Sequence, residues 1–235
     1  MAALRTAQSP SPEVSKPHPA PLVLVGGGGH ASDVLQAIEA ANALAPMWRV
    51  VGILDDDVVD QRRFAGRAVE QIGTVDDIGN VDACFVLCLG WPWAREAVAR
   101  RIGDRAQAAP PIVHPSADVA VGVELGLGSI VLGNAHVSPM VRFGMHSLVS
   151  YVASVGHDCS FGGFASVMPG AAVSGDVTAG EGVLVGTGAV VREGVRIGDR
   201  ARIGAGAVVV GDVGGGLTVV GVPARSAEAS RPHNA

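Results

Sequence analysis

His157 and Asp158 stand side by side in the run Val155-Gly156-His157-Asp158-Cys159. A carboxylate next to an imidazole holds the ring and raises its basicity. That is the equipment of a general base, which takes a proton from an attacking amine or hydroxyl. A second chemical signal lies near the start of the chain, where Gly26-x-Gly28-x-x-Ala31 follows an apolar run and precedes a helical one. Bare amides and a helix N-terminus there would face an anion such as a phosphate. Asp55 or Asp56, at the end of the next apolar run, stands where a ribose or base could be held. Gly90-Trp91-Pro92-Trp93 ends a third run, and either indole could stack on a base or pack against the coil described below.

These residues need a scaffold, and two patterns provide it. From residue 21 to about 111, strand-like and helix-like stretches alternate: a strand at Leu22 to Val25, a helix at Ala31 to Ala43, and strands at Val50 to Leu54 and Ala83 to Leu89. A further helix runs from about Trp93 to Ile102. Alternation of this kind implies a parallel sheet, an α/β unit with a Rossmann-like nucleotide turn. About ninety residues are too few for a full dinucleotide fold, so the unit suits a single nucleotide.

The second pattern is a column of apolar residues at every sixth position: Val113, Val119, Leu125, Val131, Val137, Phe143, Val149, Val155, Phe161, Val167, Val173, Ala179, Val185, Val191, Ile197, Ile203 and Val209. The residue after each anchor is often Gly, and the residue two before it is often small, as at Ala135, Cys159 and Ala171. Neither a helix nor an ordinary strand has this period, but a solenoid with a six-residue side does. Three sides make an eighteen-residue turn, so residues eighteen apart stack about 4.8 Å from each other. The anchors fill the inside of a triangular prism of roughly five coils, and glycine supplies backbone conformations that a side chain would forbid. The organisation expected is a disordered leader over residues 1–20, the α/β unit over 21–111, an all-β parallel helix over 112–213 and a tail over 214–235.

Composition narrows the partners. Apolar residues make up 48% of the 235, ample for two cores, and the formal net charge of −5 with no basic tract argues against nucleic acid. No apolar run is long enough to insert in a membrane and the N-terminus lacks the order of a signal peptide, which points to the cytoplasm. The three cysteines, Cys84, Cys88 and Cys159, read as buried reduced thiols, and no metal site is expected.

The motifs together resemble the hexapeptide-repeat acyltransferases, and among them the sugar O- and N-acetyltransferases related to the sialic acid O-acetylating enzymes and to those acting on nucleotide-linked 4-amino sugars. The matching residues are Gly26-Gly27-Gly28-Gly29-His30-Ala31, Leu54-Asp55-Asp56, Val113-His114-Pro115-Ser116-Ala117, Val155-Gly156-His157-Asp158-Cys159, Met168-Pro169-Gly170-Ala171 and Val220-Gly221-Val222-Pro223-Ala224-Arg225. The resemblance implies a left-handed parallel β-helix, a homotrimer, and acetyl transfer from acetyl-CoA to the amino group of a nucleotide-activated sugar. It makes His157 the base and Asp158 the residue that tunes it. It implies that Gly28, Gly29, His30, Asp55, Asp56 and Gly90 bind the nucleotide sugar, and it places acetyl-CoA contacts at Ser166, Gly175, Thr187 and Ala205. Arg225 or Arg202 would meet a phosphate of the coenzyme.

His114 reads as structural, and His136 and His146 as surface or interface residues. Ser166 departs from the family, which often has a second His there. The unbroken register leaves no inserted loop to carry a base, so the site would form on flat prism faces and need a neighbouring subunit. Two other activities fit the same residues: O-acetylation of a sialic-acid-like sugar, or a catalytically silent scaffold that senses sugar nucleotides.

Overall fold

The computed structural model describes residues 19–227. The expected leader lies outside the described residues apart from Pro19 and Ala20, as does the tail beyond residue 227.

The first unit is a four-stranded parallel sheet: β1 (Ala20–Val25), β2 (Trp48–Leu54), β3 (Gln71–Gly73) and β4 (Cys84–Leu87), in the order β3-β2-β1-β4. Helix α1 (Gly29–Leu44) connects β1 to β2, and α2 (Pro92–Ile102) follows β4. All of β1 from Leu22 to Val25 is buried, as a parallel strand covered on both faces must be. Pro92 starts α2 at a position whose amide would be unpaired anyway, and Gly103 ends it at φ 54. Strand β3, three residues long, left too short a pattern to be read from sequence.

The second unit is the left-handed parallel β-helix. Every anchor of the six-residue column is the second residue of a two-residue strand, and each strand pairs in parallel with a strand eighteen residues before or after it, as Arg142-Phe143 does with Ser160-Phe161. Three sheets result. Face one starts at Glu124-Leu125, face two at Ile112-Val113 and face three at Asp118-Val119. Inside, Phe143 stacks on Phe161 with ring centroids 4.5 Å apart. Face two runs on past residue 213: Thr218–Val220 pairs with Arg202 and Ile203, and Arg225–Ser226 turns back against it. The expected tail therefore contributes two strands to the prism.

The glycines after the anchors have a different cause from the one expected. The left-handed corner residue is the third after an anchor, and non-glycines such as Asn134, His146, Asp158 and Phe164 occupy it at φ 55 to 59. The residue directly after the anchor is Gly because the next coil passes over it. A methyl group on Gly144 would lie 2.5 Å from the backbone nitrogen of Gly163, and one on Gly156 would lie 2.6 Å from that of Gly175.

The outward residues give each face its own role. Face one presents Glu124, Arg142, Ser160, Thr178 and Arg196, with Glu124 and Arg142 paired at 3.2 Å. Face two presents Ile112, Ile130, Leu148, Ser166 and Leu184, all buried, and then the exposed Arg202. Ile112, Ile130 and Leu148 form one core with Leu22, Val34, Leu35 and Ile38 of the α/β unit. Face three presents Asp118, His136, Ser154, Ala172, Val190 and Val208, and no element among the described residues covers it. Helix α1 follows the edge between faces two and three, where Asp33 and Gln36 share a hollow of about 200 Å³ with Ser116, Asn134 and Tyr151. Helix α2 follows the edge between faces one and two, where Glu96 pairs with Arg200 at 2.7 Å.

Candidate active site

His157 and Asp158 occupy the corner between faces three and one. Asp158 sits at φ 59, a conformation that Asp tolerates better than most residues, and this turns its carboxylate back to the preceding side chain. Its Oδ2 lies 2.8 Å from His157 Nδ1. An ionised Asp158 fixes the tautomer with the proton on Nδ1, which leaves Nε2 free to accept one. The ring lies over Gly175, one coil along, so closely that a methyl group there would come within 2.7 Å of it. The Gly175 amide donates to no acceptor among the described residues.

The glycine turn after β1 separates into two kinds of glycine. Gly26 has φ +98, and a methyl on Gly27 would be driven into Val59. Both are demanded by the fold. A methyl on Gly28 or Gly90 would meet nothing within 4 Å, so the fold itself does not require glycine there, and their backbones face open space. The first amides of α1 have no side-chain cap, and no acidic residue stands in its first turn. His30, largely buried, holds its Nδ1 3.8 Å from Asp33, and its Nε2 is buried without a hydrogen-bond partner among the described residues. His30 first, then the Tyr151 hydroxyl, keep the Asp33 carboxyl below the ordinary carboxylate range against the cost of burial.

Both acidic residues after β2 are engaged within the fold. Asp55 accepts from the Gly27 amide at 2.6 Å and the Asp57 amide at 3.0 Å, so it shapes the glycine turn. Asp56 pairs with Arg101, which holds its carboxyl below the ordinary range.

The coenzyme positions do not gather in one chain. Gly175 lies on the His157 edge, whereas Thr187 and Ala205 are exposed on the edge between faces two and three. Arg225 is exposed on the last strand, and Arg202 is drawn over the Trp93 ring at 4.6 Å. Ser166 corrects the sequence reading. Its side chain is wholly buried on face two and accepts from Arg95 Nη2 at 2.8 Å, because the α/β unit covers the face on which it lies. It is shut off from any coenzyme groove.

Arg95 was not singled out from sequence. Only 1% exposed, it donates to the carbonyls of His146, Leu89, Gly90, Phe164 and Ala165 as well as to Ser166. Burial lowers its guanidinium to about 9, still protonated at neutral pH. The available signal was a cation at a core position of an amphipathic helix, three after Pro92 and seven before Ile102.

The remaining histidines part company. His136 is exposed on face three between Asp118, at 2.9 Å, and Ser138, at 3.1 Å. His114 takes hydrogen bonds from the Ser116 amide and hydroxyl in a corner turn, as a structural residue would. His146 is buried between Phe85 and Phe164, with burial and then the Arg95 charge lowering its pKa to about 4. Cys159 points into the prism, where burial raises its thiol pKa.

Residues 176–211 match the family model described as bacterial transferase hexapeptide (six repeats), and residues 21–102 match the PglD N-terminal domain. The acetyltransferase domain of PglB from Neisseria gonorrhoeae, solved in complex with acetyl coenzyme A, is 30% identical. The match spans 89% of this chain and all of that one, with a TM-score of 0.78. The chain belongs to the hexapeptide-repeat sugar acetyltransferases. PerB from Caulobacter crescentus, solved with CoA and GDP-perosamine, is another family member at 29% identity and a TM-score of 0.80, covering 88% of this chain and 97% of that one. WeeI from Acinetobacter baumannii shares the fold at 22% identity and a TM-score of 0.74, over 88% of this chain and 99% of that one. No curated protein sequence matches the chain. No helix among the described residues of this acetyltransferase-family chain is long and apolar enough to cross a membrane.

Proposed function

We propose that this protein transfers the acetyl group of acetyl-CoA to the amino group of a nucleotide-linked amino sugar. The observation that carries the reading is the His157–Asp158 pair, whose ring lies against Gly175, a residue whose amide donates to no acceptor among the described residues, in a chain of this family. PglB was solved with acetyl coenzyme A and PerB with a GDP-linked amino sugar.

In this mechanism the amine arrives neutral and attacks the thioester carbonyl carbon. His157 Nε2 takes the amine proton as the carbon–nitrogen bond forms, and Asp158 stabilises the resulting imidazolium. The Gly175 amide donates to the carbonyl oxygen as it gains negative charge. Collapse of the intermediate breaks the carbon–sulfur bond, and the imidazolium returns the proton to the departing thiolate. Gly28, Gly29, His30 and Gly90 hold the nucleotide sugar, with its diphosphate on the open amides of α1. Asp55 acts by shaping that turn.

In this reading the two halves of the site belong to different chains. The α/β unit lies on face two, and His157 lies on the prism edge opposite to it. An acceptor held by one chain therefore meets the base of a neighbour. Face three is uncovered among the described residues, its upper coils are apolar, and Met140 and Val152 stand exposed on its two edges. It is the surface on which three copies would pack, with acetyl-CoA between Gly175 of one chain and Thr187 and Ala205 of the next.

The test is a mass-spectrometric assay for acetylated product from acetyl-CoA and a panel of nucleotide-linked 4-amino sugars. His157→Ala should lower kcat by about 10²- to 10⁴-fold, the usual worth of a general base. Stability should shift by no more than about 0.5 kcal/mol, since the side chain is largely exposed. Wild-type turnover by His157→Ala would move the base elsewhere, and no product from any amino sugar would favour the silent scaffold.

A further inference from the structure

The stretch Trp91-Pro92-Trp93 has no part in the reaction described above, yet it places two large aromatic rings at the surface. Trp91 is 49% exposed and Trp93 is 44% exposed, whereas Trp48, the remaining tryptophan, is 7% exposed. The two indoles stack on each other with centroids 5.0 Å apart and planes 12° from parallel. The guanidinium carbon of Arg202 lies 4.6 Å from the centroid of Trp93. Arg202 has no carboxylate partner among the described residues, so the ring face is its principal contact there. Trp93 thus contacts both of its neighbours, whereas among the described residues the half-exposed Trp91 stacks on Trp93 alone.

This three-layer stack is held in place from below. Pro92 is buried and fixes the chain between the two rings, and Arg95 ties down the carbonyls of Leu89 and Gly90. The rings thus start where β4 ends, at the carboxyl end of a parallel sheet, where ligands of such sheets collect. Gly90, the residue just before them, faces open space. An exposed aromatic stack that the fold has already stiffened offers a flat ligand a surface at little cost in ordering.

We propose that Trp91, backed by Trp93 and Arg202, is the stacking platform for the nucleobase of the acceptor, and that it favours a purine over a pyrimidine. The inference rests on the reading of the α/β unit as the acceptor site. Every base has a π-face, so the platform accepts all of them, but the two fused rings of an indole overlap a two-ring purine more fully than a single ring. The diphosphate then lies on the α1 amides beyond Gly28, and Gly90 leaves room for the chain of atoms between base and phosphate.

The experiment uses GDP, UDP and coenzyme A as probes, with calorimetry for affinity and tryptophan fluorescence as a second readout. Because Trp48 is buried, quenching reports on the exposed pair. In the wild-type protein GDP should quench and should bind severalfold more tightly than UDP. Trp91→Leu should weaken GDP binding by roughly 5- to 150-fold, the range of base–aromatic stacking. It should also erase the preference over UDP and leave coenzyme A affinity unchanged. Trp91→Phe, with a smaller ring, should fall between. In turnover the Leu variant should raise the acceptor KM and keep kcat, a split that a general loss of folding would not produce.

Unchanged GDP affinity in Trp91→Leu overturns the platform while leaving the acceptor reading intact. A loss confined to coenzyme A reassigns the stack to the acyl donor. Tighter UDP binding that still depends on Trp91 overturns the purine preference. If the wild-type chain binds neither nucleotide, the platform and the acceptor reading fall together.

Discussion

At the scale of residues, the base is built from two corner positions and one absence. Asp158 accepts the left-handed corner, His157 precedes it, and Gly175 leaves a flat floor for the ring. The floor makes a sharper test than removal of the base. Gly175 does not have a positive φ, so alanine fits its backbone, but the new methyl would come within 2.7 to 2.8 Å of two imidazole atoms. The ring must swing away. A displacement of about 1 Å at a reacting group costs on the order of 10²-fold in rate, so Gly175→Ala should lower kcat by about that factor with the protein folded. Asp158→Asn acts on the same ring more gently, with a smaller loss of kcat, because a neutral amide holds the His157 Nδ1 proton less firmly than a carboxylate does. Both are read from kcat with a saturating acceptor. A Gly175→Ala enzyme as fast as wild type would mean that the imidazole does not work from this position.

At the scale of elements, the coil was legible and its docking was not. A period of six is a local property of the chain, repeated seventeen times, and all seventeen anchors stand at strand positions in the structure. Which face the α/β unit covers depends on contacts between residues as far apart as Arg95 and Ser166, and local spacing does not report those. The family resemblance therefore puts Ser166 at the coenzyme, and no motif points to Arg95. The signal lay in the residues just before the anchors: Ile112, Ile130, Leu148 and Leu184 are apolar on face two where face one has Glu124, Arg142 and Arg196. The glycines after the anchors were recognised, but their cause was a neighbouring coil and not a dihedral angle.

The docking also sets a pH dependence. His146 is buried at the junction between Phe85 and Phe164, and its pKa falls from the ordinary 6.5 to about 4. The unfolded chain binds a proton there between those values and the folded chain does not, so stability rises with pH across that window. His146 thus costs nothing above about pH 6.5, and stability is lost as the pH falls towards 4, by an amount on the order of 2–3 kcal/mol. Thermal denaturation of wild type and His146→Phe from pH 7 to pH 4 should show a smaller acid loss in the variant, which keeps a flat ring in the stack. Equal acid sensitivity would remove His146 from the account.

At the scale of the whole molecule, the prism distributes its three faces among three partners: water on face one, the α/β unit on face two and, in the proposed assembly, other copies of the chain at face three. The consequence is that neither half of the site can work alone. Suppose that one variant lacks the base, His157→Ala, and a second has its acceptor turn blocked by a bulky residue, Gly28→Trp, in the open space beside that glycine. Each alone is inactive. If the base of one chain serves the acceptor of the next around a closed ring of three, every mixed trimer holds one intact site, because somewhere in the ring a blocked chain with a good base meets a baseless chain with an open turn. Three-quarters of randomly assembled trimers are mixed, so unfolding and refolding an equal mixture should restore about a quarter of wild-type activity. Light scattering on the same sample should show a trimer. If the base and the turn of one chain formed a site together, mixing would restore nothing, and the assignment of face three to subunit contact would lose its chemical support.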